Sequence, residues 1–366
     1  MHFGLFCLNP LRDPGKSPRE LFAETTDQVR LAEEIGFDVA WFAEHHFSNY
    51  CLCPSPITMA TYMAGLTKRI RLGTAVIVAP LYHPLRMLED LAVLDQLSGG
   101  RAVLGFGSGY QQYEFHKFGV DLKAGRDIFL ETLEVTEQFL RNGAVDHGGK
   151  HIRIPETHFS VRMQQRRPAI YVAGLANDPE TQSRSARNGY VPFFTTGWST
   201  LEEMRKTREK AAAAFAAAGG KAEAAPYAAQ RYVFVTDDRE EALRAAEGAR
   251  YIRRVALSMR NQYARLRGAW LEEIPAPDEP PLEVIADRLL VGDPERCAAK
   301  LAEEIETLRP THISCFMGIP GIDPRRILKS MERFGREVMP LLEKRFGGLA
   351  LVGTPEPRPA VPAAAA

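Results

Sequence analysis

The sequence predicts an α/β fold: a (β/α)8 TIM barrel with a hairpin insertion after its fourth helix. Three observations predict it. Strand-like and helix-like patterns alternate almost from end to end, giving eight strands, each followed by at least one helix. Most of the joining loops are short, as parallel strands linked by helical crossovers require. Polar and glycine-rich clusters fall where strands hand over to loops, the rim on which such barrels collect their chemistry. An open doubly wound sheet is the competing arrangement. The glycine run does not support it: Gly105, Gly107 and Gly109 are spaced two apart and position 112 is Gln, so the G-x-G-x-x-G spacing fails.

His2–Leu8 reads as the first strand, since no basic region precedes the apolar run and a signal peptide is not indicated. Ser17-Pro18-Arg19-Glu20 is a helix start, with serine as cap, proline at the first position and a capping-box acid. That helix runs to about Gly36. Residues 37–47, Phe-Asp-Val-Ala-Trp-Phe-Ala-Glu-His-His-Phe, then form a strand rich in aromatic and β-branched bulk that ends in Glu44, His45 and His46. If the strand continues to residue 46, alternation points one histidine inward and the other away. One is then a candidate reactant and the other a candidate support.

The pattern continues with a helix over 54–66 and a strand over 70–78. His83-Pro84 opens a helix whose Met87, Leu91 and Leu94 share a face. A strand over 101–106 runs into the glycine run, and a helix over 124–141 follows. Residues 145–152 read as a hairpin around Gly148-Gly149. Strands are expected at 169–173, 190–195, 229–235 and 312–316. Asp178-Pro179-Glu180, the Ser199–Glu202 capping box and Asp293-Pro294-Glu295 start helices between them, and another spans 239–263. The last helix carries Ile327, Met331, Phe334, Val338 and Leu341 on one face. The domain is thus 1–346, and the Pro/Ala-rich residues 347–366 read as a disordered tail.

Composition narrows the function. The 46 basic and 46 acidic residues cancel, so no charge surplus points to nucleic acid or an acidic membrane. No apolar stretch approaches the roughly 20 residues that span a bilayer. Five scattered cysteines fit reduced thiols in a cytoplasmic protein. Cys51 and Cys53 lack a second ligand pair, and His147, His151 and His158 sit in the hairpin insertion with no matching acid or thiol, so no metal site is expected. G-x-S-x-G, a Walker loop and H-E-x-x-H are absent.

The glycines at 105, 107 and 109 either cradle a phosphate with exposed N–H groups or simply make a tight turn. Arg126, near the start of the next helix, either reaches that anion or is solvated. In the loop 173–181, Asn177, Asp178 and Thr181 cluster at a helix start, where capping and phosphate binding are compatible.

Three ordered motifs carry a resemblance. They are Gly-Phe-Asp-x-x-Trp-x-x-Glu-His-His-Phe at 36–47, Leu-Gly-Thr-Ala-Val-Ile-Val-x-Pro-x-x-His-Pro at 72–84, and Arg-x-x-Glu-Asp-x-x-x-Leu-Asp-Gln-x-Ser-x-Gly-Arg at 86–101. Together they strongly resemble the bacterial luciferase-like flavin monooxygenases, above all the luciferase α-subunit or alkanal monooxygenase branch, over roughly residues 1–345. The resemblance implies a TIM-barrel enzyme that uses O2 and reduced flavin mononucleotide (FMN). A separate NAD(P)H:flavin reductase would supply the flavin. The substrate would be a small apolar molecule such as an aldehyde, ketone or terpene, and the assembly a homodimer.

Carried over to this chain, the resemblance makes His45 the catalytic acid/base beside the flavin and His46 its flavin-binding neighbour. Ala75 and Val76 pack on the isoalloxazine ring. Gly107, Ser108, Gly109 and Arg126 serve the phosphate, with Gly174, Leu175, Thr181, Thr196 and Trp198 holding the rest of the phosphate and ribityl chain. Luciferase α subunits carry Cys-Arg where this chain has Gly107-Ser108, so backbone N–H groups and Ser108 would replace one positive charge. Phe6, Trp41, Ala75, Val76 and Phe106 would form a dry wall if they face inward. The proline-rich segment 267–288 is the candidate lid. A deazaflavin (F420) dependent hydride-transfer enzyme and a non-catalytic flavin-binding protein are the alternatives.

Overall fold

A computed structural model describes residues 1–174, 178–277 and 279–357. Eight parallel strands close into a ring in chain order: β1 (His2–Cys7), β2 (Val39–Phe42), β3 (Arg71–Thr74), β4 (Ala102–Gly107), β5 (Ile170–Ala173), β6 (Val191–Thr195), β7 (Ala228–Val235) and β8 (His312–Phe316). β8 closes the barrel on β1, with His312 opposite His2. The helices are α1 (Pro18–Glu34), α2 (Pro56–Ala64), α3 (Pro84–Ser98), α4 (Gln112–Lys117), α5 (Gly125–Asn142), α6 (Pro179–Asn188), α7 (Leu201–Ala217), α8 (Arg239–Arg260), α9 (Leu282–Arg288), α10 (Pro294–Leu308), α11 (Pro324–Arg333) and α12 (Met339–Phe346). The expected hairpin lies between α5 and β5, as antiparallel Ala144–Gly148 and Arg153–His158.

Caps set the helix starts. Ser17 Oγ accepts the Glu20 N–H while the Glu20 carboxylate accepts the Ser17 N–H, the box read from sequence. Before α7 the box sits one residue later than expected, between Thr200 and Glu203. Asp293 and Pro294 open α10 as anticipated.

Several boundaries differ from expectation for local reasons. The strand anticipated over 70–78 breaks after Thr74, where Ala75–Val76 is a cis peptide, and resumes as Ile77–Val78 against Phe106 and Gly107. A three-residue strand, Leu290–Gly292, pairs with the end of β7 and is too short for any periodicity to announce it. β2 stops at Phe42, so the histidines stand on the loop beyond it.

Alternation along the strands divides the apolar residues in two. Phe3, Leu5, Ala40, Phe42, Leu104 and Phe106 pack outward under the helices. Val39, Trp41, Val103, Tyr171, Val191 and Phe193 fill the barrel interior. Phe106 is therefore no part of an inner wall, because it has the same parity as Leu104. Gly73 is dictated by this packing, since a Cβ there would strike the Trp41 ring.

The amino-terminal end of the barrel is plugged. Trp41 Nε1–H donates to His312 Nε2 at 2.7 Å inside a fully buried layer shared with Tyr171. Below it Arg71 pairs with Asp38 and with Glu356, and Tyr171 Oη–H donates to the same Glu356. Residues 347–357 are thus not the disordered segment expected: they form a turn over Leu349–Leu351 and carry Glu356 across the barrel floor. The segment's anchoring contacts are to distant parts of the chain: Leu349 packs into the core, the Leu349 and Val352 carbonyls accept from the amino terminus, and Glu356 pairs with Arg71. Residues 358–366 lie outside the described set. All five cysteines are free and buried.

Candidate functional site

The opposite end of the barrel opens into a cavity of about 250 Å³. It exists because the inward positions shrink along the strands. Tyr171 is followed inward by Ala173, Gly73 by Ala75, and Val103 by glycine at 105 and 107. Gly107 admits the Val76 side chain, which a Cβ would strike. That close approach within the protein accounts for this glycine without any phosphate.

Beyond β2, Glu44 turns into the protein and is almost fully buried. Its carboxylate shares a proton with His46 Nε2 at 2.8 Å, and accepts the Val78 N–H at 3.1 Å and the Tyr82 O–H at 3.0 Å. Burial pushes its pKa up despite these partners. His46 packs edge-on against Phe118 and does not line the cavity.

His45 does line it, with its ring beside Tyr50 and Tyr110. Its Nδ1 stands 3.0 Å from Glu114 Oε1, an oxygen that also accepts the His46 N–H at 2.8 Å. A carboxylate only accepts, so this contact calls for the proton on Nδ1, whereas the Gln111 amide nitrogen 3.1 Å from the same atom calls for an acceptor there. Gln111 Oε1 is buried without a partner among the described residues. With that amide turned end for end both neighbours accept, the proton sits on Nδ1 and Nε2 is the free acceptor. Among the described residues Nε2 has no hydrogen-bond partner. The different orientations of the two histidines arise from two acids, Glu44 and Glu114, rather than from continued strand alternation.

The structure brings most of the anticipated residues to one place. His45, Ala75, Val76, Gly107, Gly109, Gly174 and Trp198 all line the cavity, with Phe6 from the expected wall. Trp41 lies beneath it in the plug. Ser108 is buried beside Gly174. Thr196 does not reach the cavity; its hydroxyl donates to the Gln230 carbonyl at 2.6 Å. Arg126 and Thr181 meet at Asp178, outside the cavity lining. The Asp178 carboxylate accepts the N–H groups of Glu180 and Thr181, both at 3.1 Å, and the Arg126 Nε–H at 2.8 Å. Burial opposes ionisation there, but these donors outweigh it and hold the Asp178 pKa down. Leu175 lies outside the described residues.

The lid expectation fails on position. Segment 267–288 contains half of a small hairpin and α9, and none of its described residues lines the cavity. Asn49 is bonded to both Ala269 and Leu271, and Arg254 grips Glu273 and Glu279.

Sequence reading missed Glu114, Gln230, Arg253 and Arg260. Gln230 was findable, since it shares the inward parity of Ala228 and Tyr232. Glu114 lies on α4, six residues long, which read as loop.

The model of the luciferase-like monooxygenases matches residues 1–312. The chain belongs to that family. An uncharacterized protein of Sinorhizobium fredii, y4vJ, is 35% identical over 350 residues, covering 95% of this chain and 99% of its own. The alkanal monooxygenase alpha chain of the Kryptophanaron alfredi symbiont is 31% identical, and the match spans 57% of each chain. The chain thus matches little more than half of that luciferase-type relative. Among solved structures, monooxygenase RslO1 of Streptomyces bottropensis superposes with a TM-score of 0.78 at 25% identity, covering 93% of this chain and 99% of RslO1. The family therefore extends along nearly the whole barrel.

Proposed function

We propose that this family member is the oxygenase component of a two-component system. It takes reduced FMN from an NAD(P)H:flavin reductase and inserts one atom of O2 into a small organic substrate in the barrel mouth. The observation that carries this reading is His45, held at Nδ1 by buried Glu114 with Nε2 unpartnered, on the wall of a mainly apolar cavity.

The cavity's own residues suit a flavin ring. Gln230 Nε2 is buried on the cavity floor with no hydrogen-bond partner among the described residues. An orphaned donor of this kind costs free energy until a ligand acceptor meets it. A heteroaromatic ring bearing carbonyl and imine acceptors would do so. Ala75 and Val76 present a small apolar ledge, and Phe193, Phe316 and Tyr232 complete the dry surface. Ser108 and Gly174 at the cavity would hold the phosphate, and Arg126 and Thr181 would join them only by leaving the Asp178 carboxylate that engages both.

When bound, the reduced flavin supplies the electrons for O2 activation. The aromatic lining keeps bulk water off the reacting atoms. Glu114 fixes the His45 ring and tautomer, so that Nε2 takes up or returns a proton at the substrate or at oxygen. Glu44 holds His46, and through the shared Glu114 contact steadies the loop bearing both. The reaction takes place in the cytoplasm, in a homodimer built through α2 and α3, whose Tyr62, Val93 and Leu97 are exposed.

Titrating the purified protein anaerobically with reduced FMN and with reduced F420 tests the flavin reading. FMN should bind in the micromolar range or tighter, roughly ten or more times tighter than F420. Preference for F420 would move the protein to a hydride-transfer reaction.

A further inference from the structure

The helix α8 carries one set of arginines that is ion-paired and another that is not. Arg244 pairs with Glu240, Arg250 with Glu247, and Arg254 with both Glu273 and Glu279. These point away from the cavity. Arg253 and Arg260 line it, and neither makes an ion pair or hydrogen bond among the described residues. They are seven positions apart, so they share one helix face about 10 Å apart along its axis. Ala256 and Leu257 lie between them on the cavity side, and Ile252 just before them. Each guanidinium sits over an aromatic ring of the mouth: Arg253 5.5 Å from the Trp198 centroid and Arg260 4.6 Å from that of Tyr110. Stacking of this kind holds a guanidinium plane in place while its N–H edge stays free to donate.

The cavity's two acids do not answer this charge. Glu44 is engaged by His46, Val78 and Tyr82, and Glu114 by His45 and the His46 N–H. An apolar interior thus opens through a rim bearing two positioned and uncompensated cations.

We infer that the substrate is an organic carboxylate, bound with its apolar body in the cavity and its carboxylate at the rim on Arg253 and Arg260. This replaces the uncharged aldehyde, ketone or terpene expected from resemblance, and it rests on the monooxygenase reading above. The same anionic chemistry could also come from the FMN phosphate. The two sources differ in what the arginines must discriminate, and the experiment separates them.

Octanoate and octanamide share one apolar body and differ in charge. Their binding to the FMN-loaded protein is measured by calorimetry, for the wild type, each single variant and Arg253→Gln/Arg260→Gln. Wild type should bind octanoate about tenfold or more tighter than octanamide, as charge-assisted bidentate contacts permit, and added salt should erode the preference. The double variant should lose that preference, with octanamide binding and the FMN and riboflavin titrations unchanged. Equal binding of the two probes to wild type overturns the carboxylate assignment and leaves the flavin reading intact. If the double variant instead weakens FMN but not riboflavin, the arginines serve the phosphate and the proposal falls. A wild type that takes up no FMN fails the earlier reading, while octanoate preference in the apo-protein would still stand as evidence for the rim.

Discussion

The two ends of this barrel are built from the same eight strands with the same alternation, yet one is filled and the other hollow. At the amino-terminal end the inward residues are Trp41, Tyr171 and His312; the Trp41 and Tyr171 donors are met by His312 Nε2 and Glu356, while His312 Nδ1 is left without a partner among the described residues. At the carboxyl-terminal end the inward residues are Ala75, Gly107, Ala173 and Thr195, with Gln230 Nε2 left without a partner among the described residues. Side-chain size along each strand, rather than topology, decides which end packs and which end receives a ligand. The closed end fills its interior with large side chains, meets the Trp41 and Tyr171 donors internally and contributes stability. The open end leaves His45 Nε2, Gln230 Nε2 and two arginines without hydrogen-bond partners among the described residues, free to meet a ligand.

That contrast can be broken by substitutions that cross over. His45→Ala should lower substrate oxygenation about 10²- to 10⁴-fold, the usual worth of a positioned acid/base. Its melting temperature should stay close to wild type. Product formation in the presence of NADH, FMN and a flavin reductase, alongside a thermal melt, reads both. Turnover at the wild-type rate would remove His45 from the mechanism. Trp41→Ala should show the converse: about 3–5 kcal/mol lost in urea unfolding, as for other buried aromatics, with flavin affinity altered far less in the molecules that remain folded. If Trp41→Ala instead abolishes flavin binding while unfolding normally, the two ends are coupled and the division is wrong.

The smallest expected effect concerns pH. Burial, and then the positive charge of His2, Arg71 and the amino terminus, hold the His312 pKa well below its usual value. The unfolded chain therefore binds the proton more readily than the folded one. Stability is fully present above about pH 6.5, the unfolded value, and declines as pH falls toward the depressed folded value, by up to about 1.4 kcal/mol per unit. His312→Gln keeps an acceptor for Trp41 and cannot titrate, so its unfolding free energy should depend less steeply on pH over that window. An unaltered slope would assign the acid sensitivity elsewhere, for instance to His2, whose pKa is also lowered by burial.

How legible this molecule was from its sequence follows the same division. The barrel itself was readable, because strand and helix periods and the caps at Ser17 and Asp293 are local signals. The stretch at 36–47 also located the mouth. What could not be read were contacts between distant segments. Glu114 reaches His45 across 69 positions, and Glu356 reaches Tyr171 across 185. Neither has a periodic signature. The glycines illustrate a different failure. Gly107 was weighed as a phosphate cradle or a tight turn, whereas its nearest constraint is the Val76 side chain. Arg126 was weighed as an anion ligand or a solvated side chain, and is paired with a carboxylate the protein itself provides.

The five buried thiols have a practical consequence. Burial raises the pKa of each, that of Cys297 to about 12, so none presents a thiolate to a reagent at neutral pH. The wild-type chain should therefore react little with maleimides while folded, and a cysteine added on its surface should be labelled preferentially. Lys117→Cys on α4 and Leu351→Cys on the segment across the floor would place one fluorophore at either end of the barrel. Each end could then report ligand binding or unfolding separately, in a background that needs no prior removal of cysteines.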